Sequence, residues 1–220
     1  MLNQPIFITN FKTYQQGTST NAVELAKIHE KVAKATGKSI GVAVSAADIY
    51  RVSQEVSIPV FAQHIDPVDY GSFTGHLLPQ NVKSSGAIGT LLNHSERRLD
   101  TDILENTVAY AQKSSLVRIV CAEDPDEVEK FAAFDPDFLA FEPPELIGSS
   151  DKSVSSESPD SIAQSVKRAK GIPVLVGAGI NSPEDIKVAM ELGASGFLVA
   201  SAIVKADDPE KILTELVSVM

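Results

Sequence analysis

The sequence predicts a single (β/α)8 barrel domain over residues 1–220. Eight short apolar runs, each as long as a typical strand, alternate with stretches of helical character at a spacing of roughly thirty residues. Strands that alternate with helices in this way form parallel pairs joined by right-handed crossovers, and eight such units close a barrel. A doubly wound open sheet is the alternative. It usually has a glycine-rich phosphate turn after its first strand, where this chain has Asn10-Phe-Lys12.

Each predicted strand is an apolar run with little alternation, as expected for parallel strands that are covered on both faces. The eight runs lie at residues 5–9, 40–44, 59–62, 86–92, 116–121, 138–141, 173–176 and 196–199. Polar residues follow several of these runs: Asn10 after the first, Asn93-His94 after the fourth and Glu142 after the sixth. The strands are therefore predicted to deliver polar side chains to their carboxyl ends.

The predicted helices follow from apolar residues at near-helical spacing. They lie at residues 22–35, 48–56, 125–134, 161–170, 183–192 and 209–217, with a further helix that ends near Ser114. Gly37 is typical of the end of the first helix. The third strand is followed by a long loop over residues 64–79, without a predicted helix.

The chain leaves the sixth strand through an unusual segment. Glu142 ends the apolar run, and the two prolines after it prevent the chain from continuing as strand or helix. Two apolar residues, the second of them Ile147, then precede the permissive Gly148, which indicates a loop that closes over a ligand. We interpret this segment as a carboxylate base followed by a lid, and the serine-rich residues 149–159 as an exposed loop.

A parallel barrel opens the carboxyl ends of all its strands on one face, so residues that are far apart in sequence converge there. The residues predicted to converge are Asn10, Lys12, Gln63, His64, His94, Glu142, Gly177 and Ser201. Ser95 is predicted to cap a helix next to His94, and the amides and dipole of that helix would disfavour a charged imidazole. Lys12 is interpreted as a fixed positive charge, with a Schiff-base amine as the alternative.

Two short segments predict an anion site. Residues 177–179 read Gly-Ala-Gly, and Ala200-Ser201 lies where a helix is predicted to begin. Both segments expose successive amide groups after the seventh and eighth strands, where barrels commonly place a phosphate group. The sequence therefore predicts substrate-binding backbone at Gly177, Gly179, Ala200 and Ser201.

Composition argues against several classes of function. A net charge of −10 disfavours nucleic acid or an anionic membrane as a partner, because both require a basic face. The single cysteine, Cys121, forms no internal disulfide, and neither it nor the four histidines show metal-ligand spacing. The chain has no long apolar segment and no leader-like N-terminus, so we expect a cytoplasmic protein without a metal or other cofactor.

The sequence resembles triosephosphate isomerases of the short, archaeal type across essentially the whole chain. Motifs in the same order carry this resemblance. They are Asn-Phe-Lys-Thr-Tyr at 10–14, Ala-Gln-His-Ile-Asp at 62–66, Gly-Ser-Phe-Thr-Gly at 71–75, Asn-His-Ser-Glu-Arg at 93–97, Glu-Pro-Pro-Glu-Leu-Ile-Gly at 142–148, Gly-Ala-Gly-Ile at 177–180 and Leu-Val-Ala-Ser at 198–201. The chain departs from the family after Gly148, where Ser-Ser-Asp-Lys-Ser-Val replaces the usual Thr-Gly-type turn.

The resemblance implies a cofactor-independent isomerase that interconverts dihydroxyacetone phosphate and D-glyceraldehyde 3-phosphate. By position in the motifs, Glu142 would be the base, His94 the electrophile, and Lys12 and Asn10 substrate contacts. The lid and the phosphate-binding backbone would comprise Ile147, Gly148, Gly177, Gly179, Ala200 and Ser201. Two alternatives are another phosphosugar barrel, such as an aldolase, and a non-catalytic phosphate-binding protein.

The long loop after the third strand predicts a homo-oligomer. It exceeds an ordinary connection and carries Tyr70 and Phe73 around a glycine-framed turn, an apolar projection that a soluble monomer would be expected to bury. In the resembled family, this loop inserts beside the neighbouring active site, where Thr74 would support the end that holds Asn10 and Lys12. A homodimer is the favoured state, and a homotetramer is the alternative.

Overall fold

Eight parallel strands close into a barrel in which each strand pairs with its neighbours in the chain and the last strand pairs with the first. The strands, β1 to β8, are Ile6–Asn10, Ser39–Val44, Val60–Ala62, Gly89–Leu92, Val117–Ala122, Phe138–Phe141, Val174–Gly177 and Gly196–Val199. The computed structural model describes residues 3–144, 155 and 158–220. The predicted (β/α)8 barrel is confirmed, and the open-sheet alternative is wrong.

Helices follow the strands and surround the barrel. The described residues include nine α-helices, numbered α1 to α9 in chain order. They are Ser19–Thr36, Ile49–Ser53, Pro79–Ser84, Thr101–Lys113, Pro125–Ala132, Pro159–Arg168, Pro183–Glu191, Ser201–Val204 and Pro209–Val217. Several begin at a proline, whose fixed φ suits the first turn and whose missing N–H would have no partner there. Among the described helices, none is both long and apolar enough to cross a membrane.

The core has two layers, because successive side chains of a strand point to opposite faces. The layer inside the barrel comprises Ile6, Ile8, Ala43, Phe61, Leu91, Ile119, Cys121, Phe138, Ala140, Leu175 and Leu198. Phe61 fits inside because Gly89 has no side chain: a Cβ there would lie 2.8 Å from a ring carbon of Phe61. The second layer packs residues such as Phe7 against the helices. The barrel interior is therefore a filled core, and a ligand must bind at the rim.

Several predicted boundaries differ from the structure. The third strand is followed by α3, which was not predicted because a helix of six residues is too short to show a helical period. The fourth strand begins at Gly89 instead of residue 86, because the chain first turns at Gly86 with a φ of 103°. The other ends move by a few residues. Asn10 becomes the last residue of β1, and the polar residues still lie at the carboxyl ends of the strands.

The start of α1 also differs, at Ser19 instead of residue 22. The buried carboxylate of Asp48 accepts a hydrogen bond from the Ser19 N–H at 3.0 Å. A negative charge is favourable at the amino end of a helix, where the first N–H groups lack partners within the helix. Because this cap comes from a residue 29 positions away, no local pattern indicates it.

Candidate active site

A pocket opens at the carboxyl ends of the strands. Its walls are Asn10, Lys12, His94, Glu142, Ala178, Gly179, Ile180, Asn181, Leu198, Val199, Ala200, Ser201 and Ala202, around about 450 Å³ of space that is open to solvent. Most of the predicted site residues therefore lie around one pocket, although they come from five different strand ends. Ile147 and Gly148 lie outside the described residues, so the lid stays a prediction.

Glu142 is the buried carboxylate of this pocket. Its backbone N–H donates to the Ala122 carbonyl at 2.9 Å, which extends the ladder between β5 and β6 by one residue. The residue is 6% exposed, and Oε2 has no hydrogen-bond partner within the described part of the chain. Burial raises the pKa of the Glu142 carboxyl, and the nearby His94, Cys121 and Lys12 offset only part of that rise. A raised proton affinity is what a general base near neutral pH requires.

His94 follows β4 and begins the 3-10 turn Ser95–Arg97. Its Nδ1 accepts a hydrogen bond from the Glu96 backbone N–H at 3.1 Å, so the ring is neutral and carries its proton on Nε2. Nε2 lies 3.7 Å from Oε2 of Glu142. The prediction that Ser95 is the cap is wrong, because the imidazole itself caps this turn. The sequence also predicted that amide groups would lie beside the imidazole, and the Glu96 N–H makes such a contact.

Lys12 enters the pocket from a strained backbone. Its φ of 49° is unfavourable for a residue with a Cβ and persists only where neighbouring groups fix it. The Lys12 N–H donates to Asn10 Oδ1 at 3.0 Å, and the Gln63 side-chain N–H donates to the Lys12 carbonyl, also at 3.0 Å. Nζ lies 2.7 Å from Oε1 of Glu96. This ion pair supports the interpretation of Lys12 as a fixed positive charge and disfavours the Schiff-base alternative.

Two residues that hold Lys12 had no role in the predicted site. Glu96 belongs to the Asn-His-Ser-Glu-Arg motif, and this was the one feature of the sequence that could have indicated a role for Glu96 in the site. Gln63 was predicted to reach the same face, but its contacts with Asn10 and Lys12 join residues more than 50 positions apart. Only the closed barrel brings these groups together.

Gly177 lies behind Glu142, whereas the sequence predicted it to bind substrate. It ends β7, and the pocket wall begins one residue later. A Cβ at this position would lie 2.6 Å from Cγ of Glu142 and 2.8 Å from its Oε1. The missing side chain at Gly177 therefore leaves room for the carboxylate. Ala178 and Gly179 follow, each with a φ of 68°, and form part of the wall.

A second groove adjoins the pocket near β2 and β3. Its walls are Asn10, Lys12, Thr13, Ser45, Ala46, Gln63, His64, Leu77, His94, Glu96 and Arg97, and it contains about 750 Å³ of open space. The groove shares Asn10, Lys12 and His94 with the pocket. A group that fills the groove would therefore contact Asn10, Lys12 and His94 from the side opposite the pocket.

The long loop after β3 projects from the barrel as an exposed turn. Its base is closed by two hydrogen bonds between Asp66 and Leu77, of 3.0 Å and 2.6 Å. Between these residues, Tyr70 is 76% exposed, Phe73 is 45% exposed and Thr74 is also exposed. Thr74 is absent from the walls of both the pocket and the groove of its own chain.

The polar residues beside this loop do not form a metal site. His64 pairs with Asp66, with 3.1 Å between Nε2 and Oδ1, and burial lowers the pKa of the His64 imidazole. In the described ranges, no group of three or more His, Cys, Asp or Glu side chains is arranged to hold a metal ion.

Comparisons with known proteins agree along the whole chain. A family model described as triosephosphate isomerase matches residues 5–218. A protein of that name from Methanobacterium bryantii is 47% identical, covering 97% of this chain and 96% of the relative. The protein of the same name from Methanoculleus marisnigri is 44% identical over the full length of both chains, and that from Saccharolobus solfataricus is 42% identical over 99% of this chain and 96% of its own.

Proposed function

The chain belongs to the triosephosphate isomerase family, and we propose that Glu142, His94 and Lys12 perform its proton transfer. It is an intramolecular aldose–ketose isomerase that interconverts dihydroxyacetone phosphate and D-glyceraldehyde 3-phosphate. The observation that carries the proposed roles is the meeting of three groups in one pocket: a buried carboxylate with an oxygen that has no hydrogen-bond partner among the described residues, a neutral imidazole N–H and an ammonium group.

Glu142 is the base in this proposal. Its carboxylate removes a proton from C1 of dihydroxyacetone phosphate, and the electron pair of that C–H bond moves toward the carbonyl oxygen to give an enediolate. The His94 Nε2–H gives its proton to O2 and takes up the proton of the O1 hydroxyl. The protonated carboxyl then returns the carbon-bound proton to C2 while C1–O1 becomes the aldehyde carbonyl, so that Glu142 is a carboxylate again. No electron is gained or lost overall, so the reaction needs no oxidant, reductant or cofactor.

His94 and Lys12 stabilise the oxygen atoms of the intermediate. Nε2 of His94 lies 3.7 Å from Oε2 of Glu142, so the two groups can contact neighbouring atoms of one bound substrate, and a neutral imidazole can both donate and recover a proton. The Lys12 ammonium group supplies positive charge in a protein of net charge −10, where a dianionic substrate needs local attraction. Asn10 holds the Lys12 backbone and also faces the pocket.

The phosphate group is proposed to bind the backbone at Gly179, Ala200 and Ser201, which line the pocket on the side of β7 and β8. Ile147 and Gly148 are proposed to form the lid that excludes water from the enediolate. Water exclusion strengthens every electrostatic contact in the site and limits the loss of phosphate from the intermediate.

A coupled assay tests this function directly. The purified chain should convert D-glyceraldehyde 3-phosphate to dihydroxyacetone phosphate, with product followed through a dehydrogenase that oxidises NADH. Borohydride treatment in the presence of substrate should leave the mass of the protein unchanged, because no Schiff base forms at Lys12. An irreversible mass increase would favour an aldolase, and an absence of turnover with an intact barrel would favour a non-catalytic phosphate-binding protein.

Gly177→Ala should lower kcat by about 10²-fold, the usual effect of displacing a catalytic group by about 1 Å. The new Cβ would come within 3 Å of the Glu142 side chain, so the carboxylate must move, while the binding of phosphate-bearing inhibitors should change little. Gly41→Ala is the matched control, because it crowds Phe61 at 3.1 Å inside the barrel away from the pocket. Equal kcat values for the two variants at equal stability would contradict this role for Gly177.

The active form is proposed to be at least a homodimer. The loop between Asp66 and Leu77 exposes Tyr70 and Phe73, and the groove beside Lys12 is open. A two-fold pair of chains would let each loop fill the groove of the other chain, so that each Thr74 supports the Asn10 and Lys12 end of the other site. Both apolar projections would be buried in this arrangement.

Phe73→Asp should produce monomers with activity reduced by at least about 10²-fold, because Lys12 and His94 would lose support while remaining present. Phe73→Leu is the matched control and should keep both association and activity. Sedimentation and turnover are measured together over a dilution series. A fully active monomer would contradict the proposal, and a tetramer would show that a second surface also associates.

Residues 1–220 are proposed to form one domain, since eight strand–helix units use nearly the whole chain and the family model spans residues 5–218. The cytoplasm is the proposed compartment, because the single cysteine is buried and unpaired, which fits a reducing environment.

A further inference from the structure

His29 is a buried polar residue that the proposed reaction does not use. It lies on α1 and is completely buried. Its Nδ1 is 2.7 Å from the Leu25 carbonyl oxygen, and its Nε2 is 2.8 Å from the Thr9 hydroxyl oxygen. A carbonyl oxygen only accepts, so Nδ1 carries the proton and Nε2 accepts the hydrogen bond from Thr9. Burial lowers the pKa of His29 to about 4, which agrees with a neutral ring.

The same imidazole contacts the chain on both sides of Asn10. Thr9 precedes Asn10 and bonds to the ring, and Phe11 follows it with ring centroids 5.4 Å apart at a tilt of 57°. Phe11 is completely buried and is confined on another side by Gly17, where a Cβ would lie 2.9 Å from Cβ of Phe11. Residues 9 and 11 are therefore fixed to α1 while Asn10 faces the pocket.

This attachment ends one residue before Lys12, whose left-handed backbone needs support from its surroundings. On the pocket side, Asn10 and Gln63 provide that support through hydrogen bonds. On the helix side, the chain is held by His29. We propose that His29, with Thr9, is a positioning residue that anchors residues 9–11 to α1 and thereby places the Lys12 ammonium group for substrate binding.

This inference rests on the proposed role of Lys12 and is tested with a double-mutant cycle on the full-length enzyme. Thr9→Val keeps the shape of the side chain but removes the hydroxyl, which leaves Nε2 of His29 without its donor. The probe is 2-phosphoglycolate, a phosphate-bearing anion of substrate size, and its inhibition constant is measured beside KM and kcat. We expect Thr9→Val to weaken binding by about 10-fold, with a smaller effect on kcat, and to have under about 2-fold effect in a Lys12→Ala background.

Two controls separate positioning from general stability. Thr90→Val removes another buried strand hydroxyl, which bonds to the Leu91 carbonyl, and it should leave the inhibition constant unchanged. Thr9→Val combined with His29→Leu removes both polar partners, so stability should recover toward the wild-type value while the inhibitor still binds weakly. Recovery of binding together with stability would overturn the inference.

The double-mutant experiment has three further outcomes, and each leads to a different conclusion. An equal effect of Thr9→Val in the presence and absence of the Lys12 side chain would overturn the inference, because the effect would not pass through Lys12. A lower thermal midpoint with an unchanged inhibition constant would show a purely structural role for His29. If Lys12→Ala alone left inhibitor binding unchanged, the proposed role of Lys12 would fail instead.

Discussion

Glu142→Gln should lower kcat by about 10²- to 10⁴-fold, the usual contribution of a general base, while inhibitors that carry a phosphate group bind almost as tightly as before. The amide has nearly the same shape as the carboxylate and fits beside Gly177, but it cannot accept the carbon-bound proton. Turnover by the coupled assay and exchange of the substrate C–H proton with deuterated solvent should fall together, since both require the same proton transfer.

Glu123→Gln is the matched control for this variant. Glu123 also follows a strand end, after β5, but it lies near Arg98 and outside the pocket. Its substitution should leave kcat within about twofold of the wild-type value, because Glu123 lines neither the pocket nor the groove. Near-wild-type turnover of Glu142→Gln, with the fold intact by circular dichroism, would exclude Glu142 as the base.

The pH profile gives a second test of the same residue. Glu142 must be ionised to accept a proton, and burial raises its pKa above the ordinary range of glutamate. On acidification, kcat/KM should therefore begin to fall at a higher pH than an exposed glutamate would give, because this ratio reports the ionisation of the free enzyme. An acid limb at or below the ordinary glutamate pKa would show that the carboxylate is better solvated in solution.

Lys12→Ala should lower kcat/KM by about 10³-fold or more, because one preorganised charge in a catalytic site commonly contributes 10²- to 10³-fold to kcat and Lys12 also binds the substrate. The loss has two parts. The positive charge disappears, and Glu96, which lies 2.7 Å from Nζ, becomes an unpaired negative charge beside a dianionic ligand.

A second variant separates these two parts. Lys12→Ala with Glu96→Gln removes both charges, so its inhibition constant for 2-phosphoglycolate should lie between those of the wild type and of Lys12→Ala. Calorimetric titration measures the affinities directly. If all three proteins bound the inhibitor equally, Lys12 would have no role in binding the anionic substrate.

The barrel and its central residues could be predicted because their signals are local. Each strand is a continuous apolar run; Glu142 directly follows one such run, and His94 follows another after Asn93. Parallel closure then brings these strand ends to one rim, whatever the details of packing. The same argument predicts Lys12 at this rim, two residues after Asn10.

The features that could not be predicted depend on contacts between distant parts of the chain. The ion pair of Lys12 with Glu96 joins residues 84 positions apart, and the close approach of Gly177 to Glu142 is set by the packing of β7 against β6. The cap at His94 could not be predicted because residue preferences favour Ser95 as the capping residue. In the structure, the His94 imidazole accepts the hydrogen bond from the Glu96 N–H instead.

The backbone bond of Glu142 has a consequence for redesign. The residue still donates to Ala122, as the last rung of a strand, and the prolines begin directly after it. The carboxylate proposed as the base is thus anchored to the barrel through a backbone bond that does not involve the residues after Pro144. We therefore expect that exchanging the sequence after Pro144 for loops of other lengths would leave the backbone position of Glu142 unchanged.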